Sequence, residues 1–255
     1  MSRAATLPRV TAPFEWRTSG DLVWLEADLG NARGAFSTRL GGTSEGPFRS
    51  LNLGILTDDD PDRVRHNRAV LAQALDRERS SVAMGHQVHG AEIQVRDRIA
   101  PGAGLAQVDA QITTSPDLTP LVLVADCVPV VVTGPGAVAA VHCGWRGVAA
   151  GIVSRAVEAV RELGGGPLSA AVGPAIGPCC YEVGAEVMDA FAERGHAMRG
   201  SMLDLPACVV AELERLDVVA YVAGICVSCN SELFFSHRRD GGVTGRQAGL
   251  AWRAS

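Results

Sequence analysis

Short apolar runs broken by glycine and proline dominate the middle of the chain and set the first expectation about its fold. Residues 121–125 are continuously apolar and end in Asp126-Cys127. Residues 128–133 are β-branched and stop at Gly134-Pro135-Gly136; residues 137–141 lead into His142. Runs of this length, bounded by turn formers, read as buried strands and a hairpin. Residues 22–27, 34–38, 92–95, 169–172 and 218–222 are further strand candidates. Helical spacing appears at 63–75, where Val64, Ala69, Val70, Leu71 and Leu75 share a face, with Asp60 placed to cap and Pro61 at the first helical position. A second helix is expected over 147–163, ended by Gly164-Gly165-Gly166, and others over 184–193 and 206–216. Hairpin strands at the centre argue for α/β layers around mixed sheets rather than a doubly wound parallel sheet.

The 255 residues suffice for one large domain, and no repeat or linker divides them, so residues 1–255 read as a single domain. Residues 1–20, rich in arginine and proline, read as a loosely ordered N-terminal segment and not as a signal peptide. A formal charge of −5 argues against nucleic acid as the main partner, and no apolar run is long enough to span a bilayer. The seven cysteines are odd in number and clustered, which fits reduced thiols and a cytoplasmic location. A monomer is expected.

Chemistry concentrates where the central hairpin opens. Residues paired across a hairpin have numbers that sum to a constant; for Cys127 and His142 that constant is 269, which centres the turn between Gly134 and Pro135. The two side chains could then face each other as ligands of one metal ion, although a register shift would weaken the pairing. A lone cysteine beside a strand is otherwise an ordinary core residue. His89, in Gln87-Val88-His89-Gly90, is a third candidate. Two imidazoles and one thiolate suit Zn²⁺, with copper possible, and three protein ligands leave a fourth position open, as in catalytic zinc sites.

Other residues admit two readings each. Arg146, in a Gly-Trp-Arg-Gly turn that opens a helix, could hold a phosphate or ribose, or could stack on Trp145. Arg39 could reach the same pocket or lie at the surface. Asn52 and Gln87 offer amides to a base or a ribose hydroxyl, and such residues also brace turns. Arg238 and Arg239 beside Asp240 form an ion-paired loop or an anion site. Cys179-Cys180 is read as packing. Cys226-Val-Ser-Cys229 has metal-knuckle spacing, but no second such pair accompanies it, so it is read as not a zinc site.

Several motifs occur in a fixed order: Phe36-Ser37-Thr38-Arg39, Ser50-Leu51-Asn52-Leu53-Gly54, Asn67-Arg68, Gln87-Val88-His89-Gly90, Ala125-Asp126-Cys127-Val128-Pro129, His142-Cys143-Gly144-Trp145-Arg146-Gly147, the run from Gly173 to Val183, and Phe235-Ser236-His237-Arg238-Arg239-Asp240. Over residues 33–248 the chain resembles the purine nucleoside phosphorylase, laccase-domain family, also called polyphenol oxidase and peptidoglycan editing factor. The resemblance implies an α-β-β-α layered sandwich and a metal held by His89, Cys127 and His142. Cys143 departs from the pattern, which usually has alanine there; a second thiol beside His142 could alter metal choice or redox sensitivity. The implied activity is zinc-dependent phosphorolysis of adenosine, inosine and related nucleosides, methylthioadenosine among them, with adenosine deamination a further possibility. The implied partners are a purine nucleoside and phosphate. Cys127 and His142 would be catalytic, with Arg39, Asn52, Gln87 and Arg146 binding substrate. Two alternatives remain. A copper-dependent polyphenol oxidase would use the same His₂Cys set, but a multicopper array needs more than six histidines and His-x-His pairs that the chain lacks. A cysteine hydrolase editing peptidoglycan precursors would use Cys127 with His142 as its base.

Overall fold

The computed structural model describes residues 6–99, 104–192 and 197–254. In chain order its strands begin with β1 (Phe14–Ser19), β2 (Leu22–Asp28), β3 (Ala32–Ser37), β4 (Val82–Ala83) and β5 (Ile93–Val95). The middle of the chain supplies β6 (Ala110–Thr113), β7 (Thr119–Val124), β8 (Val128–Thr133), β9 (Val138–Cys143) and β10 (Leu168–Val172). The last are β11 (Met198–Arg199), β12 (Met202–Leu203), β13 (Val218–Val222) and β14 (Gln247–Arg253). The helices are α1 (Pro61–Ala74), α2 (Trp145–Ala149), α3 (Ile152–Gly164), α4 (Ala185–Ala190) and α5 (Leu205–Arg215).

Two six-stranded mixed sheets result, ordered β1-β2-β3-β14-β7-β4 and β13-β10-β8-β9-β6-β5. Three apolar clusters show how they stack. Leu22, Trp24, Leu71, Leu75 and Leu250 join α1 to the outer face of the first sheet. Leu25, Phe36, Val122, Val131, Ala140 and Phe234 fill the space between the sheets. Val130, Val141, Val157, Val160, Val209 and Leu213 join the second sheet to α3 and α5. The layers therefore run α-β-β-α, as the sequence led one to expect. Strands β8 and β9 are buried along their whole length on both faces. That is why they read as continuous apolar runs instead of alternating ones.

Three details differ from the sequence reading. The β8–β9 register pairs Val128 with Cys143 and Pro129 with His142, so paired numbers sum to 271 and the turn shifts one residue toward Pro135-Gly136. Cys127 is thus diagonal to His142, just outside the ladder. The single helix expected over 147–163 is two: Gly151, at φ 87°, interrupts it in a left-handed conformation that glycine adopts without steric penalty. Residues 14–19, placed in the loosely ordered segment, form β1, paired along its length with β2; residues 1–5 lie outside the described residues, as does the expected end of the fourth helix at Glu193. Other details held. Asp60 caps α1 through the Asp62 N–H at 2.8 Å, with Pro61 following it. Gly165, at φ 61°, ends α3.

Phe36, at 1% exposure, is among the largest side chains fully enclosed between the sheets. Phe36→Ala is expected to lower unfolding free energy by roughly 3–5 kcal/mol, read as a lower urea midpoint at unchanged m-value.

Candidate metal centre

Strand alternation decides which side chains reach the centre. Along β9, Ala139, Val141 and Cys143 face α3 and α5, while Val138 and Ala140 face the other sheet. His142 follows the second set, toward the gap between the sheets. Cys143 instead lies in the helix-side core, where burial raises its thiol pKa and keeps it protonated. It is not part of the centre.

Asp109, immediately before β6, is the residue that assembles the site. The β6–β9 ladder pairs Ala110 with Val141, so Asp109 stands opposite His142. The His142 backbone N–H donates to the Asp109 carbonyl at 2.8 Å, and its Nδ1 lies 2.7 Å from Asp109 Oδ1. The same carboxylate accepts the backbone N–H groups of Val88 at 3.2 Å, His89 at 3.0 Å and Gly90 at 2.8 Å. Asp109 is fully buried. Burial works to raise its pKa, but the His142 and backbone hydrogen bonds outweigh that and lower it. With Nδ1–H directed at Asp109, the His142 Nε2 lone pair is left for the centre. Gln87 braces the same loop from the other sheet: its amide donates to the Leu123 carbonyl and accepts from the Leu123 N–H, both at 2.7 Å.

The third candidate ligand comes from a corner. Asp126 has φ 95°, and its carboxylate accepts the Ser236 hydroxyl at 2.6 Å and the Arg238 N–H at 2.7 Å. Cys127 follows it. His89 also has a positive φ, 60°. Non-glycine residues held in this region cost roughly 1–3 kcal/mol each and cluster at functional sites. The ligand atoms of His89, Cys127 and His142 all lie within 4.8 Å of one another. The two imidazoles meet edge to face with centroids 4.8 Å apart. Gly144 leaves the space they need: a Cβ there would stand 2.9 Å from His89 Cδ2 and 3.3 Å from Cys127 Sγ. His142 is buried, Cys127 half-buried and His89 exposed, so the cluster opens toward solvent on the His89 side.

Electrostatics make the sulfur of this set an anion. Burial alone would raise the Cys127 thiol, but the charges and hydrogen bonds of His142 and His89 bring it to about 6. Burial would likewise lower His142; the Cys127 thiolate and Asp109 raise it to about 9. Without a metal the two therefore form a thiolate–imidazolium pair.

Around the centre the sequence candidates separate. Arg146 is exposed, lies 4.2 Å over the Trp145 ring and meets Glu186 at 3.3 Å. The stacking reading is met, and the side chain also pairs with an acid while facing solvent. Arg39 donates to the carbonyls of Arg49 and Ser231 and covers the Phe235 ring at 4.5 Å. Asn52 is fully buried; its amide donates to Thr57 and Asp59 and accepts from the backbone of Gly54 and Arg246. Asn52 and Gln87 therefore have their amide atoms committed to the scaffold, and Arg39 has two of its three guanidinium nitrogens committed to backbone carbonyls. Arg239 pairs with Asp240 at 2.7 Å, the ion-paired loop, whereas Arg238 turns away and lies 5.2 Å from the Tyr181 ring centroid. Arg238, read from the sequence as part of an ion-paired loop or an anion site, is the exposed member of that pair; Tyr181 and Arg246 carry no such signal in the sequence. Tyr181 lies close enough to Cys127, Arg146 and Arg238 for their charges to act on it; burial, chiefly, raises its pKa to about 12. Arg246 likewise feels the charges of Cys127 and Asp126.

A family model described as multi-copper polyphenol oxidoreductase laccase matches residues 33–254. The chain belongs to this family. It is 39% identical over 236 residues to purine nucleoside phosphorylase SCO2081 of Streptomyces coelicolor, an alignment spanning 88% of this chain and 96% of that protein. It is 35% identical over 258 residues to purine nucleoside phosphorylase YlmD of Geobacillus stearothermophilus, spanning 90% and 94%. The crystal structure of that YlmD superposes with a TM-score of 0.84 at 32% identity, covering 95% of this chain and all of the other. Neisseria meningitidis protein NMB0706 gives 0.82 at 34% identity, covering 91% and 99%. The laccase-like family resemblance read from the motifs and the layered fold it implied are both met.

Two predictions follow from this geometry. Asp109→Asn removes the charge that orients His142 and gathers the 88–90 turn, so zinc affinity should fall about 10–100-fold in chelator competition, while circular dichroism stays native. In metal-free protein, alkylation of Cys127 by iodoacetamide should climb through pH 6 and level off by about pH 8. An unassisted thiol, with pKa 9.0, would still be accelerating there. His142→Ala should shift that midpoint upward.

Proposed function

We propose that the protein is a zinc-dependent purine nucleoside phosphorylase, with the metal held by His89, Cys127 and His142. The observation that carries this reading is an open three-ligand set beside a solvent-facing group of cationic side chains. The donor set fits the group: a thiolate and two neutral imidazoles, one fixed through Nδ1 by a buried carboxylate, are the ligands zinc takes when a coordination position is left for substrate or water. Bound there, zinc supplies a Lewis acid that polarises an oxygen of the substrate.

Phosphorolysis forms a bond between a phosphate oxygen and the ribose carbon and breaks the glycosidic bond, whose electron pair leaves on the purine. The protein's own groups can bind and orient the anionic reactant. Arg146 and Arg238 both lie close enough to Tyr181 for their charges to act on it, and both can donate to phosphate oxygens. Tyr181 keeps its proton throughout the physiological range and serves as a hydrogen-bond donor there. Asn52 and Gln87 act from behind, holding the segments that carry Arg246 and His89, and Arg39 ties the chain at Arg49 to that at Ser231. The relatives named purine nucleoside phosphorylase support the same substrate class. We extend it to adenosine, inosine and methylthioadenosine, with adenosine deamination at the same centre, in a cytoplasmic monomer. No helix among the described residues is long and apolar enough to cross a membrane.

One observation favours a second reading. Cys127, His142 and Asp109 stand in the order nucleophile, base and orienting carboxylate, with the thiol already acidified. In zinc-free protein that arrangement would suit a cysteine hydrolase acting on amides, such as peptidoglycan precursors. A copper oxidase has less support, because the described residues group metal-ligating side chains only at the triad and at one cluster of four cysteines.

Purified enzyme given inosine or adenosine, zinc and phosphate should release free base and ribose phosphate. Cys127→Ala should lose both turnover and the metal held at the triad. Arg238→Ala should raise the KM for phosphate by about tenfold or more, as expected for loss of a charge-assisted hydrogen bond. Stoichiometric zinc that shields Cys127 from alkylation supports the phosphorylase; full activity toward amides in zinc-free protein would replace it with the hydrolase.

A further inference from the structure

The four cysteines outside the triad and the helix-side core face converge on one point. Strands β10 and β13 are parallel neighbours, and the loops leaving them continue side by side: Ala175 bridges Cys226, the Ala175 N–H donates to the Ile225 carbonyl at 3.2 Å, and the Val227 N–H donates to the Ala175 carbonyl at 2.9 Å. This brings Cys179 and Cys180 of one loop to Cys226 and Cys229 of the other. All four sulfurs lie within 4.8 Å of one another, and Cys179 and Cys180 are each 3.5 Å from Cys229. Four sulfurs around one zinc ion, at bonds of about 2.3 Å, are separated by about 3.8 Å along each tetrahedral edge. Only small closing movements are required.

We propose that Cys179, Cys180, Cys226 and Cys229 form a second metal site, a closed tetrathiolate centre for zinc with a structural role. The missing second Cys-x-x-Cys pair is supplied in space by the adjacent pair 179–180, which no spacing rule anticipates. Two further observations fit a thiolate ligand rather than packing. The Gly177 N–H donates to Cys226 Sγ at 3.2 Å, and the Cys229 N–H donates to the same sulfur across the Cys-x-x-Cys turn. Amide N–H groups aimed at sulfur favour its anionic form. Asn230 closes the turn by donating to the Cys226 carbonyl at 2.8 Å. Cys179 and Cys229 are exposed and all four are free thiols, so burial does not account for their meeting. Four thiolates this close repel one another unless a cation sits between them.

The place of the cluster gives the ion a role. Its first loop reaches the triad through the Ile176 N–H, which donates to the Asp126 carbonyl at 2.9 Å, and it carries Tyr181. Its second loop is held to the 236–240 turn by Arg239, which donates to the carbonyls of Val227 and Ser228 at 3.0 and 3.3 Å. That turn carries Arg238. An ion joining the two loops therefore fixes the segments that present Tyr181 and Arg238 beside Cys127.

The test separates the two sites. A His89→Ala, Cys127→Ala variant, purified anaerobically in reductant and loaded with Co²⁺, should bind one ion per chain and show the intense sulfur-to-cobalt charge-transfer absorption of a tetrathiolate. Adding Cys226→Ser and Cys229→Ser should abolish both binding and that absorption. Wild type should hold two zinc ions per chain, and the Cys226→Ser, Cys229→Ser variant one. Because the first variant lacks the triad, its result does not depend on the proposed phosphorylase reaction, and it stays informative if the cysteine-to-serine variants fail to fold. A triad-free protein that binds no cobalt, or binds it without the charge-transfer band, would overturn the proposal.

Discussion

The Asp109 carboxylate is the constraint on which the rest of the centre depends. It is fully buried, and it gathers three successive backbone N–H groups of the 88–90 turn and the His142 ring. A buried charge is tolerated only when its lone pairs are satisfied. Here the partners that satisfy it come from two separate stretches of chain. The same bonds that stabilise the charge therefore bring His89 to His142, set the imidazole tautomer, and leave one nitrogen for a metal. Removing the carboxylate disconnects ligands that are 53 positions apart in the chain.

Geometry elsewhere follows from this junction and the two-sheet frame. Strands β6, β8 and β9 send alternate residues to the helices and to the opposite sheet, so Asp109, Cys127 and His142 belong to one face by parity. The loops after β10 and β13 then cover the opening. Asp126 ties them down from below through its backbone carbonyl and its carboxylate. Strong backbone commitments at Gln87, Asn52 and Arg39 surround this zone, which explains how exposed groups such as His89 and Arg146 are held where the scaffold beneath them is rigid.

Much of this was legible in the sequence, and the parts that were not have physical reasons. The buried runs that become β8 and β9, the N-cap of α1 and the glycine that ends α3 carry local signals that the sequence pattern displays, whereas the start of α3 at Gly151 does not stand out. Parity survived an error in register: a two-residue slip moves Cys127 along the ladder but leaves it on the face of His142. Strand β14, central in the first sheet, hides behind a polar and glycine-rich approach and was missed. Asp109 was missed as well, because its role rests on a β6–β9 pairing that no local pattern announces. A single aspartate opening the short alternating stretch Ala110-Gln111-Ile112-Thr113 is the only trace. Asn52 and Gln87 were singled out as binding residues because an amide that braces a buried loop and one that binds a ribose look alike in sequence. Only the hydrogen-bond partners separate them.

The most direct test of the central claim is zinc-edge X-ray absorption on the Cys226→Ser, Cys229→Ser variant, in which the triad is the one group of three metal-ligating side chains left among the described residues. Asp109 acting through His142, with His89 and Cys127 completing the set, predicts one sulfur and two imidazole nitrogens around the ion, with one further light-atom ligand. A first shell without sulfur, or with fewer than two imidazoles, would contradict it.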